Sequence, residues 1–229
     1  MPLSSSRNYR SFTIDAPWYW IPPKGELRSL LLGLHGMAQE GERFGEKLSP
    51  LLDQGIGLIL PSGPYPLEVR GRHGVRQGYA WYIFTGDQPG FMESMQRSEK
   101  DLLNLLLRIR QDAALSDLPL DLLGFSQGGY LAGFMALRHA NLFRSCTIAS
   151  ARLKHEFVES ELASSPQLQI LFLHDRKDPL TKAEPVEESQ KILQRAGVNA
   201  VIQWHDEGHA LGTQSVGLLA QWLKDISDQ

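Results

Sequence analysis

The sequence predicts an α/β protein with a mostly parallel central sheet flanked by helices. Short and nearly continuous apolar runs predict strands that are buried on both faces, at residues 30–34, 56–60, 120–123, 146–149, 170–173 and 201–204. Longer stretches with apolar residues at helical spacing lie among them, at residues 92–110, 130–137, 184–195 and 215–226. Alternation of these two patterns is typical of a parallel sheet with crossover helices.

Composition and charge narrow the class of protein. The chain has 229 residues, of which 42% are hydrophobic and 21% charged, so we expect a single domain over residues 1–229. A net charge of −3 gives no support for a nucleic-acid partner. No apolar run reaches the roughly 18 residues of a membrane span, so we expect no stable membrane insertion. With Cys146 as the sole cysteine and no signal-like N-terminus, we expect a cytoplasmic protein.

Residues 61–90 fit neither the helical nor the strand period. This segment is rich in proline and glycine, and unstructured segments of that length are often functional. We therefore predict an excursion at the rim of the site, as a lid or a pocket wall. The alternative is an ordinary surface insertion.

A candidate nucleophile follows the third apolar run. Residues 124–128, Gly-Phe-Ser-Gln-Gly, match the G-x-S-x-G pattern between a predicted strand and a predicted helix. Such a sharp turn exposes the hydroxyl of Ser126, and Gly124 and Gly128 leave room for the neighbouring backbone. The alternative is a tight turn in which Ser126 only caps a helix.

A serine hydroxyl needs a base, and the partners of such a serine follow it in the order acid, then histidine. We assign the base to His209, which lies between the last apolar run and the last helix, and regard His205 at the strand end as structural. We assign the acid to Asp178, in the loop after the penultimate strand. Asp175 is the alternative acid, and we expect it to brace the turn instead.

Hydrolysis by a serine also needs two N–H groups that stabilise the oxyanion of the intermediate. One donor is predicted to be the backbone N–H of Gln127, the residue after the nucleophile. The other is predicted to be the backbone N–H of Met37, in the loop after the first buried strand, where Gly36 permits the bend. We expect His35 to brace this loop by hydrogen bonds rather than to react.

Taken together, these motifs resemble the carboxylesterase and phospholipase family that includes the acyl-protein thioesterases. The matching segments are residues 34–36, 61–64, 124–129, 174–178 and 208–209. The resemblance implies an α/β-hydrolase fold and esterase or thioesterase activity without a cofactor. Two segments depart from the family's pattern: Ala-Gln-Glu at 38–40 replaces its Gly-Asp, and Trp-Tyr-Ile-Phe at 81–84 replaces its Trp-Phe-Asp.

The predicted function is hydrolysis of small to medium carboxylic esters through an acyl-enzyme, with no metal ion. We expect Trp81 and Phe84 to line the substrate pocket, helped by Met37 and Phe91, and the alternative is that these aromatic residues belong to the core. The alternatives are acyl-protein thioesterase or lysophospholipase-type activity and, more remotely, a binding protein that has lost catalysis. A further alternative is an acidic head group on the substrate, met by a basic stretch in the excursion formed by Arg70, Arg72, His73 and Arg76. Such a cluster is more often a solvated loop.

Overall fold

The computed structural model describes residues 14–72, 74–162 and 167–228. Its strands are β1 (Trp18–Ile21), β2 (Ser29–Leu34), β3 (Ile56–Pro61), β4 (Tyr65–Gly71), β5 (Gly74–Ala80), β6 (Leu120–Phe125), β7 (Ser145–Ala149), β8 (Gln169–Asp175) and β9 (Asn199–His205). Its α-helices are α1 (Gly41–Lys47), α2 (Gln88–Ile109), α3 (Gln127–Arg138), α4 (Ala183–Arg195) and α5 (Thr213–Ser227). No helix in the described ranges combines the length and the apolar composition that a membrane span requires.

Within the described residues, seven strands form the central sheet, in the order β1-β3-β2-β6-β7-β8-β9. All neighbouring pairs are parallel except β1 with β3. Each of the six predicted strands and each of the four predicted helices is confirmed. The sequence missed α1 and also β1, a four-residue edge strand that lies between Pro17 and Pro22 and therefore resembles a loop.

The core lies on both faces of the sheet. Helices α2, α3 and α4 cover one face, against alternate strand residues such as Leu32 and Leu122. Helices α1 and α5 cover the other, against their neighbours Leu31 and Leu123. Because both sets of side chains are buried, the strands lack polar alternation. Burial of one such leucine side chain contributes about 1.5–3 kcal/mol.

The segment at 61–90 contains a β-hairpin. Strands β4 and β5 pair antiparallel, from Tyr65 opposite Ala80 to Gly71 opposite Gly74. The hairpin is fastened to the loop after β2, because Tyr79 and Gln39 form a β-bridge and the Ala38 N–H donates to the Tyr79 carbonyl at 2.9 Å. The sequence did not predict these two strands, because β4 has no fully buried residue and β5 is buried only at its last three residues.

Candidate active site

Ser126 lies at the turn from β6 to α3, at the carboxyl edge of the sheet. Its backbone has φ 52° and ψ −115°, a conformation that a residue with a side chain adopts only under strain. The Ser126 N–H donates to the Ala149 carbonyl on the adjacent strand at 2.8 Å. A side chain at Gly124 would overlap the Gly128 carbonyl, and one at Gly128 would overlap the Leu34 carbonyl. Both glycines are therefore required by the tight approach of the backbone.

The structure brings the predicted acid, base and nucleophile into one hydrogen-bonded chain. His209 Nε2 lies 2.8 Å from Ser126 Oγ. On the other side of the ring, His209 Nδ1 lies 2.8 Å from Asp178 Oδ2 and 3.0 Å from Oδ1. Because Nδ1 faces a carboxylate, it carries the ring proton, which leaves Nε2 free to accept the serine hydroxyl proton. This is the arrangement that nucleophilic attack by a serine needs.

Asp178 is held as an anion by backbone donors. Its Oδ1 accepts the N–H of Leu180 at 2.8 Å and the N–H of Thr181 at 3.0 Å. Burial by itself raises the pKa of Asp178, but the hydrogen bonds from Thr181, Leu180 and His209 outweigh it and leave the pKa below its ordinary value. The carboxylate therefore stays charged opposite the ring of His209.

Asp175 occupies a different position, and it braces the turn as the sequence predicted. Its Oδ1 accepts the Lys177 N–H at 2.7 Å, and its Oδ2 accepts the Gly208 N–H at 2.5 Å. These two hydrogen bonds hold the pKa of Asp175 below its usual value. The second bond ties the loop after β8 to the loop that carries His209, a link that the sequence did not reveal.

His205 lies beneath that loop and contacts neither Ser126 nor Asp178 through a hydrogen bond within the described chain. It is buried, its Nδ1 accepts the Glu207 N–H at 3.2 Å, and burial lowers its pKa. The Glu207 carboxylate in turn accepts the backbone N–H groups of Gln214 and Ser215, at 2.9 Å each, at the start of α5. The loop is thus anchored at both ends around His209.

The loop after β2 offers one of the two predicted oxyanion donors. Its position is fixed because Gly128 packs against the Leu34 and His35 carbonyls. Within the described residues the Met37 N–H donates to no protein acceptor, while the neighbouring Ala38 N–H is occupied by Tyr79. Gln127 is the first residue of α3, so its N–H has no acceptor within the helix. The Met37 side chain is 63% exposed.

His35 braces this loop by hydrogen bonds, as expected from the sequence. Its Nε2 accepts the Gly63 N–H at 3.1 Å, which places the ring proton on Nδ1. Nδ1 then donates to the Gly36 carbonyl at 2.7 Å. Burial lowers the pKa of His35 to about 4, so the ring is neutral.

The predicted pocket residues Phe84 and Trp81 differ in exposure. Phe84 is 56% exposed and packs on the buried Phe91, with 5.1 Å between ring centroids. Trp81, in contrast, is 1% exposed, and its Nε1–H donates to the His35 carbonyl at 2.8 Å. The expectation that Trp81 lines a pocket is therefore wrong in this structure, because its ring lies beneath the loop after β2, where its N–H finds an acceptor.

The basic stretch does not act as one cluster. Arg70 pairs with Glu68 at 2.6 Å on the exposed hairpin. Arg76 instead donates to the Ala38 carbonyl at 2.8 Å, beside Met37. Arg72 is exposed, and His73 lies outside the described residues. Among the described members of the stretch, Arg76 is thus the one that contacts the loop of Met37.

Comparison with known structures identifies the fold. Similar structures include acyl-protein thioesterase 2 from Zea mays, at 21% identity and TM-score 0.74, covering 93% of this chain and 99% of that one. A carboxylesterase from Bacillus cereus matches at 15% identity and TM-score 0.72, covering 92% and 94%. One from Mesorhizobium loti matches at 20% identity and TM-score 0.75, covering 91% and 94%. The fold is the α/β-hydrolase fold that the motifs implied.

Among curated proteins, none matches the sequence significantly. A family model described as serine hydrolase (FSH1) matches residues 27–216, which include Ser126, Asp178 and His209. This match spans most of the chain and agrees with the family resemblance of the sequence motifs and with the esterase and thioesterase folds of the similar structures. The chain therefore belongs to the FSH1 serine hydrolase family.

Proposed function

We propose that the protein hydrolyses carboxylic esters of small to medium acyl groups through an acyl-enzyme on Ser126. The observation that carries this proposal is the chain of hydrogen bonds from Asp178 through His209 to Ser126, with 2.8 Å at each step. Membership of a serine hydrolase family supports it.

In the proposed reaction, Ser126 Oγ attacks the ester carbonyl while its proton passes to His209 Nε2. Asp178 fixes the tautomer of His209 and stabilises the imidazolium that forms. The tetrahedral intermediate collapses when His209 returns the proton to the leaving alcohol. Water, activated by the same ring, then attacks the acyl-enzyme and releases the acid and the free serine.

The oxyanion of each tetrahedral intermediate needs preorganised donors. We assign them to the backbone N–H groups of Met37 and Gln127, the first free of any protein acceptor in the described chain and the second at a helix start. Loss of one such donor typically slows turnover by about 100- to 1000-fold. Because the backbone is the donor, a change of the Met37 side chain should cost much less.

The apolar surface near the site favours an acyl or aryl group. Met37 and the adjacent pair Ile83 and Phe84 are all more than half exposed, on the loop after β2 and on the segment that follows the hairpin. Leu180, two residues beyond Asp178, is 74% exposed. Such side chains bind hydrocarbon rather than sugar. The same chemistry would cleave a thioester, so oxygen esters and thioesters belong in one test.

The first test compares wild type with Ser126→Ala on p-nitrophenyl esters and on acyl thioesters of matched chain length. Labelling by a fluorophosphonate runs in parallel. We expect the variant to lose labelling and to lose turnover by a factor on the order of 10⁶. A folded wild type that neither turns over nor labels would favour the binding-protein alternative. A variant that labels as well as wild type would show that Ser126 is not the nucleophile.

A substrate with an acidic head group is the second candidate, favoured by the contact of Arg76 with the Ala38 carbonyl. If Arg76 meets such a group, wild-type kcat/KM for a hemisuccinate ester should fall with added salt, while that for a butyrate ester stays level. Arg76→Gln should remove this salt dependence. Arg70→Gln is the control, because Arg70 already pairs with Glu68. Equal salt curves for both esters would reject this candidate.

A further inference from the structure

We propose that Trp81 is a positioning residue for the oxyanion hole: acting through His35, it holds the Gly36–Met37 peptide in the one orientation that presents the Met37 N–H to the substrate. This inference rests on the proposed function. It also gives a role to a residue that the sequence assigned to the substrate pocket.

The orientation of the Met37 N–H is set by its own peptide plane. The Gly36 carbonyl and the Met37 N–H belong to one planar trans peptide and point in opposite directions. The Gly36 carbonyl accepts the Nδ1–H of His35 at 2.7 Å. Whatever fixes the ring of His35 therefore fixes the direction of the Met37 N–H.

Trp81 fixes both the ring and the backbone of His35. Its indole packs against the imidazole with 4.8 Å between centroids and an interplanar angle of 37°. Its Nε1–H donates to the His35 carbonyl at 2.8 Å, so the peptide before Gly36 is held as well. Both contacts lie in the interior, where competing water is excluded and a lost hydrogen bond is costly.

The backbone of the same segment is tied to the other proposed oxyanion donor. The Gln127 side chain accepts the Trp81 N–H at 2.9 Å and donates to the Tyr82 carbonyl at 3.0 Å. The Ser98 hydroxyl of α2 donates to the Trp81 carbonyl. Residue 81 thus connects the loop that carries Met37 with the turn that carries Gln127, and it sets the two donors relative to one another.

The test is Trp81→Phe, with Trp222→Phe as the matched control. Trp222 is a buried tryptophan of α5 on the opposite face of the sheet. Both variants lose a buried indole, but only Trp81→Phe loses the donor to His35. We expect Trp81→Phe to lower kcat by about 10- to 100-fold with little change in KM, because an oxyanion donor acts in the transition state.

Two further measurements separate positioning from loss of packing. A trifluoromethyl ketone, which forms a tetrahedral oxyanion on the serine, should bind Trp81→Phe more weakly by the same factor as kcat falls. The acid limb of the kcat/KM pH profile, which reports protonation of the base, should not move. Trp222→Phe should keep wild-type kcat and ketone affinity even where its melting temperature falls as far.

Several outcomes would overturn the inference. The first is a kcat of Trp81→Phe equal to that of wild type, and the second is an equal loss of kcat in Trp222→Phe. The third is a shifted acid limb in the pH profile of Trp81→Phe, which would mean that the substitution affects His209. If Trp81→Phe does not fold, Ser98→Ala tests the inference instead, because it removes the hydrogen bond to the Trp81 carbonyl. We expect a smaller loss of kcat with unchanged KM and pH profile, and a wild-type kcat would contradict the inference. Failure of the proposed function is distinct, since wild type itself would then be inactive and unlabelled.

Discussion

The candidate site has two sides that are built differently. The histidine side consists of the loops at residues 175–181 and 206–212, which follow the neighbouring strands β8 and β9. The hairpin side consists of the loop at residues 35–39 and the described residues of the segment at 62–87. On the histidine side, carboxylates accept backbone N–H groups, as Asp175 does from Lys177 and Gly208. The hairpin side is stabilised instead by hydrogen bonds of the Trp81 indole and of the Gln127 amide, which belongs to α3.

The difference shows how far position in the chain predicts position in space. Asp175 and His205 lie opposite each other in the β8–β9 register, so parallel topology alone places the two loops side by side. Trp81 does not lie on or next to a strand of the central sheet. It contacts His35 because the hairpin forms a β-bridge to the loop after β2, at Gln39. The histidine side follows from the strand order of the sheet, whereas the hairpin side depends on contacts between residues that are far apart in the sequence.

The largest expected effect is on the histidine side, from Asp178→Asn. The asparagine Oδ1 can still accept the Leu180 and Thr181 N–H groups, so the variant should fold. Its NH₂ would donate to His209 Nδ1 and move the ring proton to Nε2, where it blocks proton transfer from Ser126. We expect kcat to fall by about 10⁴-fold, with circular dichroism unchanged. Near-wild-type turnover would show that the acid is not Asp178 but Asp175 or another residue.

A smaller effect is expected from Asp175→Ala, which tests whether Asp175 positions rather than reacts. The Lys177 and Gly208 N–H groups lose their acceptor, so the loop of His209 loosens. We expect kcat to fall by about 10- to 100-fold, since small misplacements of a catalytic group have effects of that order. Steady-state kinetics on a p-nitrophenyl ester checks this. A loss as large as that of Asp178→Asn would contradict a purely positioning role.

The smallest effect, on stability, belongs to the hairpin side and concerns His35. Its folded-state pKa of about 4 lies below the ordinary value of 6.5, so the unfolded chain binds protons first as the pH falls. The stability that the protein has while His35 is neutral in both states is present above pH 6.5 and is lost as the pH falls towards 4. From this group alone, the unfolding free energy should drop by about 2 kcal/mol between pH 7 and pH 5.

Urea denaturation of wild type and His35→Gln at both pH values checks this expectation. Burial also lowers the pKa values of His174 and His205, but both variants keep those residues, so their contributions cancel in the comparison. The variant should be less stable at pH 7 and lose less between the two pH values. Equal losses of unfolding free energy in wild type and His35→Gln would show that His35 is not held neutral in the folded protein.

Much of this protein was predictable from the sequence. The six buried strands and four of the helices follow from short-range patterns, and the meeting of Ser126, Asp178 and His209 follows from the order of their motifs along the chain. Apolar periodicity reports burial, and the chain order of strands fixes which loops share the carboxyl edge of the sheet. The preference for Asp178 over Asp175 agrees with the geometry, because Asp178 contacts the ring of His209 whereas Asp175 accepts the Gly208 N–H.

Only the tertiary structure decided the rest. It showed that β4 and β5 form a hairpin, that Trp81 is buried under the loop after β2, and that Asp175 accepts the Gly208 N–H. A buried tryptophan and a pocket-lining tryptophan give the same apolar signal in the sequence. They differ in the acceptor of the indole N–H, which for Trp81 is the His35 carbonyl, 46 residues away in the sequence. A local sequence pattern cannot predict a contact between residues so far apart.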